Sequence, residues 1–337
     1  MTALLHPGMP SAIGSLPHGD VETAAMVALD LQPELPAAPQ LPQRHRSEGM
    51  LAQLAAGMTG VQVGADGWTL DVDRRRLGAG SASAPLDTEA WAGTLAFLRA
   101  AAAIGHDGPI KVQMVGPVTL GLALAKAGAP TSRAFSLAGT VVRHRVRALR
   151  REVARARPGS PLVFVLDEPG LTAYTDPSFP LGTEETIDLL SGSLAAAGAA
   201  GRDSMAGIHC CGPTDWRMVL HAGPDLLSLP VAAVGEEVAG LSMFLDRGGW
   251  VAWGAVPTGQ PLGHRDDVHW RKLNSLWGEL ARSGCDPMRL RTQSVITPAC
   301  GLALHRESQV AQIYGLVRRL AERAQDQAFA ARLSAGA

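Results

Sequence analysis

The chain has 337 residues, 46% hydrophobic and 18% charged, with a formal net charge of −1. That is enough apolar material for a sizeable core, and the near-neutral balance excludes a protein that holds nucleic acid or an anionic membrane by charge. No apolar run is long enough to span a membrane, and residues 1–10 lack the basic region and apolar stretch of a signal peptide. The expectation is a cytoplasmic protein forming one domain over 1–337, with its core from about 10 to 325.

In chain order, short apolar runs alternate with helical patterns. Strands are expected at 12–14, 37–41, 110–114, 162–166, 205–209, 226–229, 251–254 and 293–296. The run at 37–41 is poorly marked. Residues 61–73 alternate around Asp66-Gly67, the signal of a hairpin inserted into the main pattern. The stretch 78–85 (GAGSASAP) reads as a flexible surface loop. Within 136–157, Val142, Val146, Leu149 and Val153 make one apolar stripe, with the intervening arginines mostly outward. A last helix over 306–325 buries Val310, Ile313, Val317 and Leu320. Alternating strand and helix implies a parallel sheet covered on both faces, and eight strands would close it as an α/β (β/α)₈ barrel. An open doubly wound sheet competes, but Gly14-Ser15-Leu16-Pro17 does not fit the glycine-rich dinucleotide turn.

The chemistry concentrates where strands end. In Gly207-Ile208-His209-Cys210-Cys211-Gly212, an extended backbone puts His209 and Cys211 on one side and Cys210 on the other. Imidazole and thiolate are zinc's preferred ligands. A buried free cysteine is more often a small hydrophobe, so the pair alone is weak. Cys300 strengthens it, because it follows the last expected strand, and in a parallel barrel all strand C-termini share one face. Three ligands, His209, Cys211 and Cys300, would leave one tetrahedral position open for a thiol substrate. Zinc there would ionise that thiol near neutral pH and make it a nucleophile toward an activated methyl group.

Asp167 and Glu168, in Leu166-Asp167-Glu168-Pro169, end a buried strand on the same face. They are read either as holding a substrate ammonium or a ligand histidine, or as capping the next helix. Ile13, Gly14 and Ser15, with Gly116-Pro117, would add backbone donors at the rim. Cys285 reads as a free thiol in a loop.

Taken together, AIGSLP, VQMVGPVTL, FVLDEPGL, IHCCGP and ITPACGL stand in the order found in one family. The chain resembles the C-terminal catalytic barrel of cobalamin-independent methionine synthase, within the superfamily of uroporphyrinogen decarboxylase, over about 12–303. The resemblance implies Zn²⁺ on His209, Cys211 and Cys300, and homocysteine as the thiol. It implies Ser15 on the amino acid's carboxylate and Asp167 on its ammonium. The methyl donor would be a methyl-folate or a corrinoid protein. The chain departs from the family at three points. Pro230 stands where the family has a glutamate ligand, with Glu236 and Glu237 nearby. Arg44 stands where it has an ammonium-binding glutamate. Gly259 stands where it has a histidine proton donor, and His264 is the nearest replacement. The alternatives are a related zinc methyltransferase using another thiol, and a zinc-binding methyl-transfer partner without turnover of its own.

Overall fold

A computed structural model describes residues 4–82, 85–86, 89–198, 203–235, 238, 240–259, 263 and 265–335. His264, Glu236 and Glu237, and part of the 78–85 loop lie outside the described residues. The first half contains β1 (Met9–Pro10), α1 (Val21–Leu31), α2 (Met50–Ala55), β2 (Val61–Val63), β3 (Leu70–Val72), α3 (Ala92–Ala103), β4 (Ile110–Val115), α4 (Pro117–Lys126) and α5 (Thr131–Ala156). The second contains β5 (Leu162–Asp167), α6 (Thr183–Gly198), β6 (Ser204–His209), α7 (Trp216–His221), β7 (Leu226–Pro230), α8 (Leu241–Asp246), β8 (Trp250–Val256), α9 (Asp266–Arg282), α10 (Pro287–Thr292), β9 (Ser294–Pro298) and α11 (Glu307–Ala335). No helix among the described residues is long and apolar enough to cross a membrane.

Among the described residues, seven strands form one parallel sheet in the order β1-β9-β8-β7-β6-β5-β4. It curls into a half-barrel, and the ladder does not give the expected ring of eight. The shortfall lies at 35–42, which reads Leu-Pro-Ala-Ala-Pro-Gln-Leu-Pro. Pro36, Pro39 and Pro42 have no N–H, so a continuous ladder cannot form there. Isolated parallel bridges form instead, joining Ser11 to Leu35, Ser15 to Gln40 and Ala37 to Lys111. Ala38 N donates to Lys111 O at 2.8 Å and Gln40 N to Gly14 O at 3.3 Å, so this segment touches both sheet edges.

The first strand is also displaced. It pairs with β9 at Met9 and Pro10, ahead of the expected 12–14. Gly14 has φ +138°, outside the extended region, and this turns the chain out of the ladder. The other expected strands stand where their apolar runs put them, as β4 to β9. The 61–73 hairpin is present as β2 paired antiparallel to β3.

Strand alternation divides the core. Val163, Val165, Leu226, Ala252 and Val295 form the inner cluster. Phe164, Leu166, Ile208 and Leu227 belong to the larger cluster shared with the helices. The stripe Val142, Val146, Leu149 and Val153 is buried on α5, and the expected stripe of the last helix is buried on α11, which runs on to Ala335. Each such side chain contributes roughly 1.5–3 kcal/mol on leaving water. Arg145 departs from the outward arginine face: it is buried and donates to Ala56 O.

Candidate functional site

Every strand of the curled sheet ends on one face, and β6 ends there at His209. The alternation expected after it holds. Cys210 is buried in the outer cluster, its Sγ donates to Gly212 O at 3.5 Å, and burial pushes its thiol up to about 12. His209 and Cys211 instead line a pocket of about 80 Å³, and Cys300 lines the same pocket. Ile13, Ser15, Glu48, Trp68 and Asp167 also face it.

Asp167, His209 and Ser228 are register neighbours across β5, β6 and β7. His209 Nδ1 and Ser228 Oγ are hydrogen-bonded at 2.9 Å. His209 Nε2 is buried with no partner among the described residues. Burial, helped by the Lys111 charge, pushes the imidazole down to about 3, so the ring is neutral. Cys211 and Cys300 act on each other electrostatically across this pocket. The neighbouring Cys300 thiol brings Cys211 down to about 7, and the same interaction with burial pushes Cys300 up. Among the described residues, no three His, Cys, Asp or Glu side chains already form a metal-holding cluster. The fit of a thiophilic ion rests on the donors themselves: an orphaned imidazole nitrogen and a thiol pair facing one pocket.

The expected substrate residues separate. Asp167 faces the pocket, and its Oδ1 is buried without a partner among the described residues. Burial pushes its carboxyl up to about 7, against the pull of the Lys111 cation. Glu168, one residue on, does not face the pocket. Its carboxylate accepts from Val118 N at 2.9 Å, Thr119 N at 2.7 Å and Thr119 Oγ1 at 2.6 Å. It thus satisfies the N-terminus of α4, where a negative charge is favoured, although burial raises its carboxyl to about 7. Capping is therefore Glu168's observed role, and the capped helix is the one before it.

Ile13 and Ser15 line the pocket, while Gly14 supplies the bend behind it. At φ +138° any side chain on residue 14 would be strained, and its Cβ, 2.1 Å from Gln113 Nε2, would also displace the Gln113 amide. This turn is pinned by a residue that sequence reasoning missed. Lys111, buried inside the apolar run of β4, donates from Nζ to Ile13 O at 2.6 Å and to Gln113 Oε1 at 3.1 Å. Burial lowers its ammonium to about 8. Gln113 Nε2 in turn donates to Ala38 O at 2.7 Å. The signal was available: Lys111 and Gln113 share strand parity and register with the inner residues Val163 and Val165.

Glu48 was missed as well. Arg44 does not itself line the pocket; its Nε donates to Glu48 Oε1 at 2.5 Å and its Nη2 to Glu89 Oε1 at 3.0 Å. Glu48 lines the pocket and is buried. Pro230 ends β7 as expected and lines a different cavity.

No family model and no curated protein matches the chain. Solved structures do. A B12-independent methionine synthase from Shewanella sp. W3-18-1, solved in complex with selenomethionine, is 13% identical with a TM-score of 0.61, over 96% of this chain and 99% of that one. A protein from Listeria monocytogenes, assigned as a vitamin-B12 independent methionine synthase, is 13% identical with a TM-score of 0.56, over 90% of this chain and 85% of that one. At this identity the likeness establishes the fold, a methionine-synthase-like α/β architecture.

Proposed function

We propose that this chain is a zinc-dependent S-methyltransferase that converts homocysteine to methionine, with the methyl drawn from a methyl-folate or a methyl-corrinoid. One observation carries the reading: a buried, unpartnered His209 Nε2 in the pocket that also holds the paired Cys211 and Cys300. His209, Cys211 and Cys300 would hold the ion and leave a position for substrate. Bound there, zinc would shift a thiol's pKa from about 8.5 to below neutrality and supply a thiolate.

The rest falls to this chain's own residues. Ser228 fixes the ring of His209 from behind. The free oxygen of Asp167 is a partner for the substrate ammonium, and Ser15 for its carboxylate. Lys111 holds the Ile13 carbonyl and offsets the charge of Asp167. Two further points support the reading. The Shewanella protein was solved with selenomethionine, the selenium analogue of the proposed product. Residues 35–40 bridge both sheet edges, as the remaining stave of an eight-membered barrel would.

Zinc per chain, measured in wild type, Cys211→Ala and Cys300→Ser, tests the site; unchanged stoichiometric zinc in both variants contradicts it. Methionine formation, assayed with methyltetrahydrofolate and with methylcobalamin, tests the substrate. Absence of product from either donor contradicts that assignment.

A further inference from the structure

The inner face of β9 carries a buried hydroxyl that no core contact or pocket lining uses. Val295 belongs to the inner cluster and Ile296 to the outer one, so strand alternation turns Thr297 inward. Thr297 is 2% exposed, and its Oγ1 has no partner among the described residues. The neighbours at its level supply none. Gly254, its register partner, and Pro230, the next along, carry no hydrogen-bonding side chain. On the other flank Ser11 N donates to Ile296 O at 2.9 Å, and the Ser11 hydroxyl donates to Leu35 O at 2.8 Å. The chain after β9 then folds back over this level. A Cβ on Gly254 would stand 2.8 Å from Ala299 Cα, and Ala299 N donates to Val256 O at 2.8 Å. The segment that bears Cys300 therefore rests on the strand ends beside Thr297.

We propose that Thr297 is a positioning residue of the metal centre, its hydroxyl donating to the sulfur of Cys300 once that sulfur is a metal-bound thiolate. The proposal deepens the zinc reading and rests on it. A neutral thiol is a weak acceptor, whereas a thiolate takes a strong, charge-assisted hydrogen bond. The donor is therefore idle in the metal-free chain, where an unmet buried hydroxyl costs stability, and it is completed when the metal-bound ligand forms. Valine has the same shape without the hydroxyl, so a residue that served only the core would do better as valine. A hydroxyl held here at a cost to the fold serves the site instead. Its part matches that of Ser228, which holds His209 from β7.

Three measurements on the full chain test this in wild type, Thr297→Val and Thr297→Ser. They are the urea midpoint of the metal-free protein, the zinc Kd by competition against a chelating dye, and the sulfur-to-metal charge-transfer band of the Co²⁺-loaded protein. Thr297→Val should keep or raise the urea midpoint while weakening zinc binding by about tenfold. Its charge-transfer band should move to longer wavelength, because a thiolate that loses a hydrogen bond gives up its electrons more readily. Thr297→Ser, which keeps the hydroxyl, should hold the band and bind zinc within about threefold of wild type. In a double-mutant cycle with Cys300→Ala, the two losses of zinc affinity should be less than additive. The proposal is overturned if Thr297→Val leaves both zinc affinity and band unchanged, if it lowers the urea midpoint together with zinc affinity, or if Thr297→Ser behaves as Thr297→Val. Full additivity in the cycle overturns the assignment to Cys300. Failure of wild type to bind zinc at all would instead remove the zinc-dependent methyltransferase reading itself.

Discussion

Asp167 and His209 are register partners on the adjacent strands β5 and β6, and each carries a buried polar atom without a partner among the described residues, Oδ1 of Asp167 and Nε2 of His209. Buried polar atoms are otherwise almost always satisfied, because each unpaired one costs about 1–3 kcal/mol. Two such atoms at neighbouring strand ends of one pocket point to ligands that complete them. In the proposed enzyme a metal ion completes His209 and a substrate ammonium completes Asp167.

The ring of His209 is oriented by Ser228. With Nδ1 as the donor in that hydrogen bond, the lone pair of Nε2 is free for a metal. Ser228→Ala should therefore weaken zinc binding by roughly 10–100-fold while leaving all three ligands in place. Competition against a chelating dye measures this, and an unchanged affinity would show that the hydroxyl plays no part.

Protonation of His209 should set part of the acid stability of the metal-free protein. Its imidazole lies near 3 when folded against an ordinary 6.5, so between these values the unfolded chain binds a proton that the folded chain refuses. Its stabilising contribution is full above 6.5 and is lost as pH falls toward 3, with a slope of about 1.4 kcal/mol per pH unit. Denaturant unfolding across pH 4–6.5 should show a shallower slope in His209→Asn than in wild type. Equal slopes would contradict the buried neutral ring.

Glu168 and Asp167 should behave oppositely despite adjacency. Glu168→Ala strips three donors at the start of α4 of their acceptor and should cost about 2–4 kcal/mol of stability. Homocysteine affinity in the folded fraction should move less than about threefold, since Glu168 does not face the pocket. Asp167→Asn should do the reverse, keeping most of the stability and losing homocysteine affinity by tenfold or more, about 1.4 kcal/mol. Calorimetry of unfolding and of homocysteine binding separates the two.

Lys111→Met removes the ammonium that holds the Ile13 carbonyl and faces the charge of Asp167. KM for homocysteine should rise by about tenfold with the zinc content unchanged, because the loop bearing Ser15 loses its anchor while the ligands do not. Loss of zinc in this variant would show that Lys111 supports the whole site and not the substrate loop.

Much of this site was legible in the chain because strand parity is simple. The alternation His209-Cys210-Cys211 assigns the middle cysteine to the outer layer, and the structure puts it there. Continuous apolar runs marked β4 to β9, each buried over almost its whole length. What was obscured has particular causes. The proline repeat through 33–42 erased the pattern of the segment that meets both sheet edges. Lys111 and Gln113 lay inside the expected strand 110–114 with no role assigned to them, because they bond to backbone carbonyls far away in sequence. Parity applied one step further, to Asp167 against Glu168, would have separated the pocket-facing acid from the helix cap.

The most direct test is zinc X-ray absorption on the full chain, with and without homocysteine. The expected result is one zinc per chain with one nitrogen and two sulfur ligands from the protein, and one further sulfur when homocysteine is added. An absence of zinc, or a sulfur count that homocysteine leaves unchanged, would contradict a thiol-activating zinc site at His209, Cys211 and Cys300.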